Sequence, residues 1–582
     1  MMTKTQNIPK LSLPERLRQL AEKRFHVLSL NPEAAMDEII GDKDAQALVH
    51  SFPETDLYLL VRNIGLSDAL PLLSLASNKQ WEFMVDMDCW KKDRIENRSL
   101  SRWLNLLITA DPNRFINWFL HEQLELIERY LFHNIELYVR EHDQDPSDFP
   151  DDVITLDQVY YFKIRPIVDA MADDITDSSI DEREQFLTTF IDRLARYDHA
   201  TFLNVMMESR GVLSAEIEEE IYRLRNVRLA EKGFLPFDEA IGLYQPIRSS
   251  QLTPRSVSRQ KPGSGFEAGP LPQYAQRVLM EENRLMPAAT LLRDDPLFVD
   301  VILELTALAN QMAIADQKEI ASQTDLDAIV KKIRGYLCIG IEVLSDGDMT
   351  PASVAATVRI YMIHDIFRVG YGQVLELKWR AEKWVHKSWF FNQGMSLAFW
   401  TEAGMGILGG LLLKRPLYCD PNQIGISYRE FESLSDMRQI KIDLEEIIQL
   451  DQLLSQLAAH IPRKVFHQKS GRTLTFQNLI LTLWARFSIG LAADAIEIDM
   501  ISFKQFFNSV WQDSKPKVSH SVKTQFLKWL SSQCGMPQAT ITQSAGRALD
   551  RMFDEIESEL GSVPETNLDF RFIHLFNLVD HT

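Results

Sequence analysis

Cysteine is scarce, with four residues in a chain of 582. Cys89, Cys338, Cys419 and Cys534 lie far apart, with no CxxC and no short His/Cys pair. That excludes a disulfide framework and the common zinc motifs, and suits buried thiols in a reducing compartment. Basic charge is also in deficit. There are 62 Lys and Arg against 82 Asp and Glu, a formal charge of -20, and the pI is near 5.2. A general nucleic-acid binder is not expected from such a chain, because polyanions are held mainly by cations. Long apolar runs are missing as well. The opening MMTKTQNIPKLSLPERLRQL has no apolar core of a signal peptide, and Glu402 interrupts the most apolar stretch before it reaches a membrane span. GxSxG, HExxH and the nucleotide-binding GxxxxGK[ST] do not occur. Sustained period-two alternation is also lacking, so the expected fold class is all-α.

What remains is an ordinary globular composition, 45% hydrophobic and 25% charged, long enough for several cores. From Asp42 to His142 the apolar residues form short helical stripes. Leu57, Leu60, Val61 and Ile64 stand at i, i+3, i+4, i+7, as do Ala69, Leu72, Leu73, Ala76 and Leu100, Trp103, Leu104, Leu107. The first stripes begin at Leu57, Ala69 and Trp81, a step suited to short helices stacked as superhelical repeats. Pro53, Ser67, Asn78 and Asp111–Pro112 are the expected helix starts. Longer packed helices follow in the C-terminal half. One opens at Thr324 or Asp325 and ends near Gly347, and another opens with Thr350 and Pro351.

The charge is local. Residues 141–184 carry fourteen acids against Lys163, Arg165 and Arg183, a charge of -11. Residues 246–275 turn basic, proline-rich and poor in apolar side chains, which predicts a flexible linker. The expected organisation is an N-terminal extension (1–34), a helical repeat domain (35–245), the linker (246–275) and a C-terminal helical domain (276–582), subdivided near 415–440.

Four stretches carry a family resemblance: DALPLLSLASNKQWEFMVDMDCW (68–90), RLAEKGFLPFDEAIGLYQP (228–246), LCIGIEVLSDGDMTPA (337–352) with IFRVGYGQVLELKWRAEKW (366–384), and GGLLLKRPLY with YREFESLSDM (409–437). Together they resemble an uncharacterised bacterial family, a domain of unknown function, across most of the chain. The resemblance implies a single cytosolic bacterial polypeptide and carries no activity or site residues. The joint SFPETDLYLL also resembles, in pattern, the cytosolic superhelix of magnesium-channel proteins.

Several groups bear on chemistry. Gly404, Gly406 and Gly409 match GxGxxG, but Pro416 follows too soon and no βαβ pattern surrounds them, so close helix packing is expected. His364 and Asp365 resemble the His-Asp metal pair of helical phosphohydrolases. Completing that site needs arbitrary partners such as His199 and Asp420, and adjacent helical residues point about 100° apart. His386, His460 and His467 add nothing. Asp143, Asp145 and Asp148 suggest a calcium loop, but Asp148 stands where Gly is required and Ile154 where Glu is, so a solvated acidic loop is expected. From Arg359 to Trp389, six bases alternate with Tyr361, Phe367, Tyr371, Trp379, Trp384 and Trp389. Such a pattern serves a stacking groove for single strands, or more plainly an amphipathic helix with aromatic anchors.

No residue is assigned a catalytic role, and no cofactor, metal ligand or transmembrane segment is expected. The leading expectation is a cytoplasmic helical scaffold or adaptor for a protein partner, its acidic stretch steering a basic one. The rivals are an enzyme with a C-terminal site near His364, Glu402 and Gly404–Gly410, such as a metal-dependent hydrolase, and a divalent-cation-responsive regulator.

Overall fold

The computed structural model describes residues 13–150, 152–166, 177–209, 214–232, 234–255, 286–292, 295, 297–317, 323–420, 425–459, 461, 466, 473–492, 495–511 and 516–579. The fold is all-α. Among the described residues the strands are short: two small hairpins, a three-stranded antiparallel sheet and one parallel pair. The three-stranded sheet pairs Ile135–Val139, just ahead of the acidic stretch, with Ile154–Thr155 and Tyr160–Ile164 inside it, where no strand was expected. The chain divides into two compact units. The first comprises 1–245, 253–333 and 350–364, and the second 246–252, 334–349 and 365–582. This division differs from the expected one, because the first unit resumes beyond residue 246. Of the expected linker, 256–275 lies outside the described residues. Arg255 is firmly held: its guanidinium forks onto Glu304 and donates from Nε to the Tyr361 carbonyl at 3.1 Å.

The first unit begins with short helices for the reason the sequence supplies, one apolar stripe each. Leu57, Val61, Leu72, Leu73, Leu100, Leu104 and Leu107 are fully buried. Their joints are capped by side chains. Asp111 accepts from the Arg114 amide ahead of Pro112–Glu122, as expected. The cap of Asn78–Asp88 is Ser77, one residue earlier than expected, in a reciprocal box with Gln80. Ser67 does not cap Leu70–Leu75, whose cap position is Ala69. The helices begin at Glu54, Leu70 and Asn78, so the even step between apolar stripes is not an even step between helix starts. Buried Gln80 donates from Nε2 to the carbonyls of Val49 and Phe52, satisfying the end of Ala45–Ser51. Trp81, Phe115, Trp118, Phe119, Phe186 and Phe190 fill the interior edge to face.

Helix Leu297–Asp316 is long and apolar enough to cross a membrane by length and composition, and more than half of it is buried within the structure. Its buried polar groups fit a core helix: Asn310 donates to the Lys232 carbonyl, Gln311 to that of Ala240, and Thr306 to that of Ile302.

In the second unit glycine sets the helix spacing. The helix Gln323–Leu344 includes Thr324 and Asp325 in its first turn, so neither caps it, and Gly347 at φ +90° follows its end. An added Cβ at Gly340 on this helix would lie 2.1 Å from the Ile366 carbonyl oxygen, and one at Gly370, on the helix Ile363–Val385, would lie 2.0 Å from that of Tyr336. Only glycine permits that backbone approach. Tyr336, Phe367 and Tyr371 pack around the crossing. Farther along, Trp484 meets Phe506, Phe526 and Phe553 edge to face and forms the centre of the C-terminal core. Gly370→Ala should therefore destabilise the protein by about 1–3 kcal/mol, the usual cost of overpacking. Urea unfolding checks this, and an unchanged midpoint would contradict the crossing.

Candidate binding groove

Gly404, Gly406, Gly409 and Gly410 all lie within one helix, Thr401–Leu412, rather than in a loop ahead of a helix. An added Cβ at Gly406 would meet Cys419 Sγ at 2.6 Å, at Gly409 the Tyr428 hydroxyl at 2.6 Å, and at Gly410 the Leu417 carbonyl at 2.5 Å. The glycines seat the hairpin formed by Tyr418–Cys419 and Tyr428–Arg429. The space a side chain would need is already occupied at each of them, so close packing accounts for the motif. Glu402, just before them, is exposed.

Among the described residues no group of three or more His, Cys, Asp or Glu side chains converges as a metal site. His364 and Asp365 are both half-buried at the start of Ile363–Val385, and Asp365 lies 3.6 Å from Arg368. His199 lies 3.8 Å from Asp157 on the surface of the first unit, and Asp420 faces Arg429 at 3.7 Å in the second. His386 packs against Phe391; His460 and His467 lie outside the described residues. Asp145 turns onto the amide and hydroxyl of Ser147, which hold its carboxyl below the ordinary range, as in a self-capped loop. Asp148 donates its amide to the Asp145 carbonyl at 3.0 Å in the same turn. The aromatic–basic segment splits: Phe367 and Tyr371 are buried, while Trp379 is 48% exposed. An amphipathic helix with one exposed aromatic describes it.

A cluster of buried charge in the first unit surrounds Asp86. Helix Ser214–Glu231 has no single apolar stripe and is tied down by ion pairs. Arg228 forks onto Asp86 at 2.8 and 2.9 Å, Arg225 donates to the Asp86 carbonyl at 2.7 Å, and Arg129 reaches Glu218 at 3.1 Å. Burial pushes the neighbouring Glu82 carboxyl up, against the pull of Arg228. The cavity that Glu82, Asp86 and Arg228 help to line measures about 10 Å³, room for one water, so the cluster is structural.

The second unit offers larger space. A solvent-open groove of about 530 Å³ runs between helices Leu434–Leu457 and Gln538–Leu560. One wall presents Arg438, Lys441 and Ile442, the last 45% exposed; the other presents Thr542, Gln543, Gly546 and Arg547. Beneath them Glu446 is only 5% exposed, and its carboxylate accepts from Arg547 Nη2 at 2.8 Å and from Arg551 Nη2. The other acid, Glu445, is engaged by Arg380. Arg438 and Lys441 are exposed and pair with no acid among the described residues. Gly546 sits mid-helix, where an added Cβ would meet only Thr542 Cγ2 at 3.5 Å. Unlike Gly340 or Gly370, it answers no packing demand, and it leaves the groove floor open. The sequence held a signal for this site: bases at i, i+3 and i, i+4 on two helices, and a glycine inside an amphipathic one. Which faces oppose each other is decided by tertiary packing.

A family model described only as a family of unknown function matches residues 14–579. No curated protein and no solved structure matches the chain, so the magnesium-channel likeness rests on pattern alone.

Gly546→Ala should stabilise the protein by about 0.5–1 kcal/mol, because alanine favours the helix and nothing opposes its methyl. Thermal unfolding checks this, and a loss of stability would contradict an open floor. A second expectation concerns Glu128. Burial, a hydrogen bond with Glu208 and the charges of Glu208 and Glu125 push its carboxyl up to about 7. The folded chain then keeps a proton that the unfolded chain has released. The pair's contribution is therefore full at low pH and is lost as pH rises through about 7. Glu128→Gln should raise the thermal midpoint over wild type at about pH 8, with the gap narrowing towards about pH 5. An equal gap at both would contradict the shared proton.

Proposed function

The chain belongs to DUF6178, a family of unknown function, and on that premise we propose that it is a helical adaptor that engages a protein partner through the groove of its second unit. The observation that carries this reading is the groove itself. Two long helices leave about 530 Å³ open between them, with exposed bases on one wall and an unfilled glycine on the other. Grooves between packed helices commonly accept a helix or extended segment. The stacked short helices of the first unit form a superhelical framework in this reading. A cytoplasmic setting is part of the proposal, supported by four free cysteines.

A photo-crosslinking residue at Gln543, inside the groove, tests this in cells of the natural source, with the exposed Asp37 as the comparison position. The expected result is a discrete protein adduct, identified by mass spectrometry, that forms from position 543 and not from 37. It should disappear when Gly546→Trp fills the groove. The same adducts from both positions, or an adduct indifferent to Gly546→Trp, would overturn the adaptor reading.

A further inference from the structure

We infer that the occupant of the groove is an acidic helical peptide segment whose carboxylates stand one turn apart. This rests on the adaptor reading and names its partner class.

Charge comes first. Of the two acids lining the groove, Glu446 is buried beneath the guanidiniums of Arg547 and Arg551, and Glu445 is held by Arg380. Arg438 and Lys441 pair with no acid among the described residues. The side chains of Arg547 and Arg551 remain 58% and 62% exposed, and each is shown to give one Nη2 to Glu446. The remaining guanidinium edges can meet a second carboxylate in a fork.

Spacing comes next. Arg438 and Lys441 are three residues apart on one helix, and Arg547 and Arg551 are four apart on the other, each roughly one turn, about 4.5–6 Å of rise. Acids at i and i+4 on a partner helix repeat at the same interval. Between the basic rows, exposed Ile442 and the open floor at Gly546 offer an apolar seat for one side chain of that helix. A nucleic acid fits less well. Its backbone has no apolar side chain to set against exposed Ile442, and a phosphate at every nucleotide brings more charge against a chain of net charge -20 than two carboxylates do.

The test titrates the full-length chain against a fluorescent, stapled helical peptide of about 14 residues, enough for stable turns. The peptide carries Glu at i and i+4 flanking a Leu, and a matched peptide has Gln in place of Glu. The Glu peptide should bind more weakly as salt rises, and the Gln peptide should bind at least about tenfold more weakly. Arg438→Ala with Lys441→Ala should also cost about tenfold, with the thermal midpoint unchanged because both side chains are on the surface. Equal binding of the two peptides, or no effect of the double substitution in a folded chain, would overturn the inference. So would pyrophosphate or a single-stranded oligonucleotide that binds more tightly than the Glu peptide with the same dependence on Arg438 and Lys441. Failure here with the position-543 adduct intact would remove the acidic class and leave the adaptor. Peptide binding without that adduct would remove the adaptor and leave the chemistry of the groove.

Discussion

The carboxylate of Glu446 is buried, and a charge in that position is tolerated only while it is paired, because an uncompensated buried charge destabilises the fold. The partners come from the facing helix, one turn apart, so the Glu446 bonds fix the register of Leu434–Leu457 against Gln538–Leu560. That register places Arg438 and Lys441 opposite Gln543 and Gly546 and leaves the space between them open. The pairing also neutralises the deeper acid, so the surface above it is basic in a chain that is acidic overall. Asp86 plays the equivalent part in the first unit, where Arg225 and Arg228 secure a helix with no apolar stripe of its own. There the charges close over a space no larger than a water. In the second unit they stand around an open groove, and that difference separates a structural cluster from a binding surface.

Glycine makes a parallel distinction. Gly340, Gly370, Gly406 and Gly410 each face an atom that would collide with a methyl group, and each is explained by packing. Gly546 faces none. A glycine inside a helix costs about 1 kcal/mol relative to alanine, and where packing does not require it, the space it leaves becomes the notable feature. The GxGxxG match of Gly404 to Gly409 turns out to be packing, whereas a single unremarked glycine lines the groove.

Much of the fold was legible. The stripes at Leu57, Ala69 and Leu100 became buried helix faces, Asp111 and Thr350 became caps, and the all-α class followed from them. Of the caps that slipped, Ser77 displaced Asn78 because neighbouring polar residues compete for a cap, whereas Ala69 stands at the start of Leu70–Leu75 with no side-chain cap bond at all. The sheet around Tyr160–Ile164 was hidden because its strands are short and sit among acids, where a period of two cannot establish itself. The rejection of the calcium register and of the dinucleotide motif could be read from spacing alone. The groove could not. Arg438, Lys441, Arg547 and Arg551 lie more than a hundred residues apart as two pairs, and their convergence depends on a buried glutamate between them.

The most direct measurement of the central claim is a charge exchange across the groove. Arg438→Glu with Lys441→Glu should abolish binding of the Glu-bearing helical peptide and create binding of a peptide with Lys at the same two positions, which the wild-type chain refuses. Recovery of affinity in the exchanged pair is the predicted result, since opposite charges in contact couple and like charges repel. Loss of the first peptide with no gain of the second, in a chain whose thermal midpoint is unchanged, would contradict direct contact between these bases and the acids of a partner.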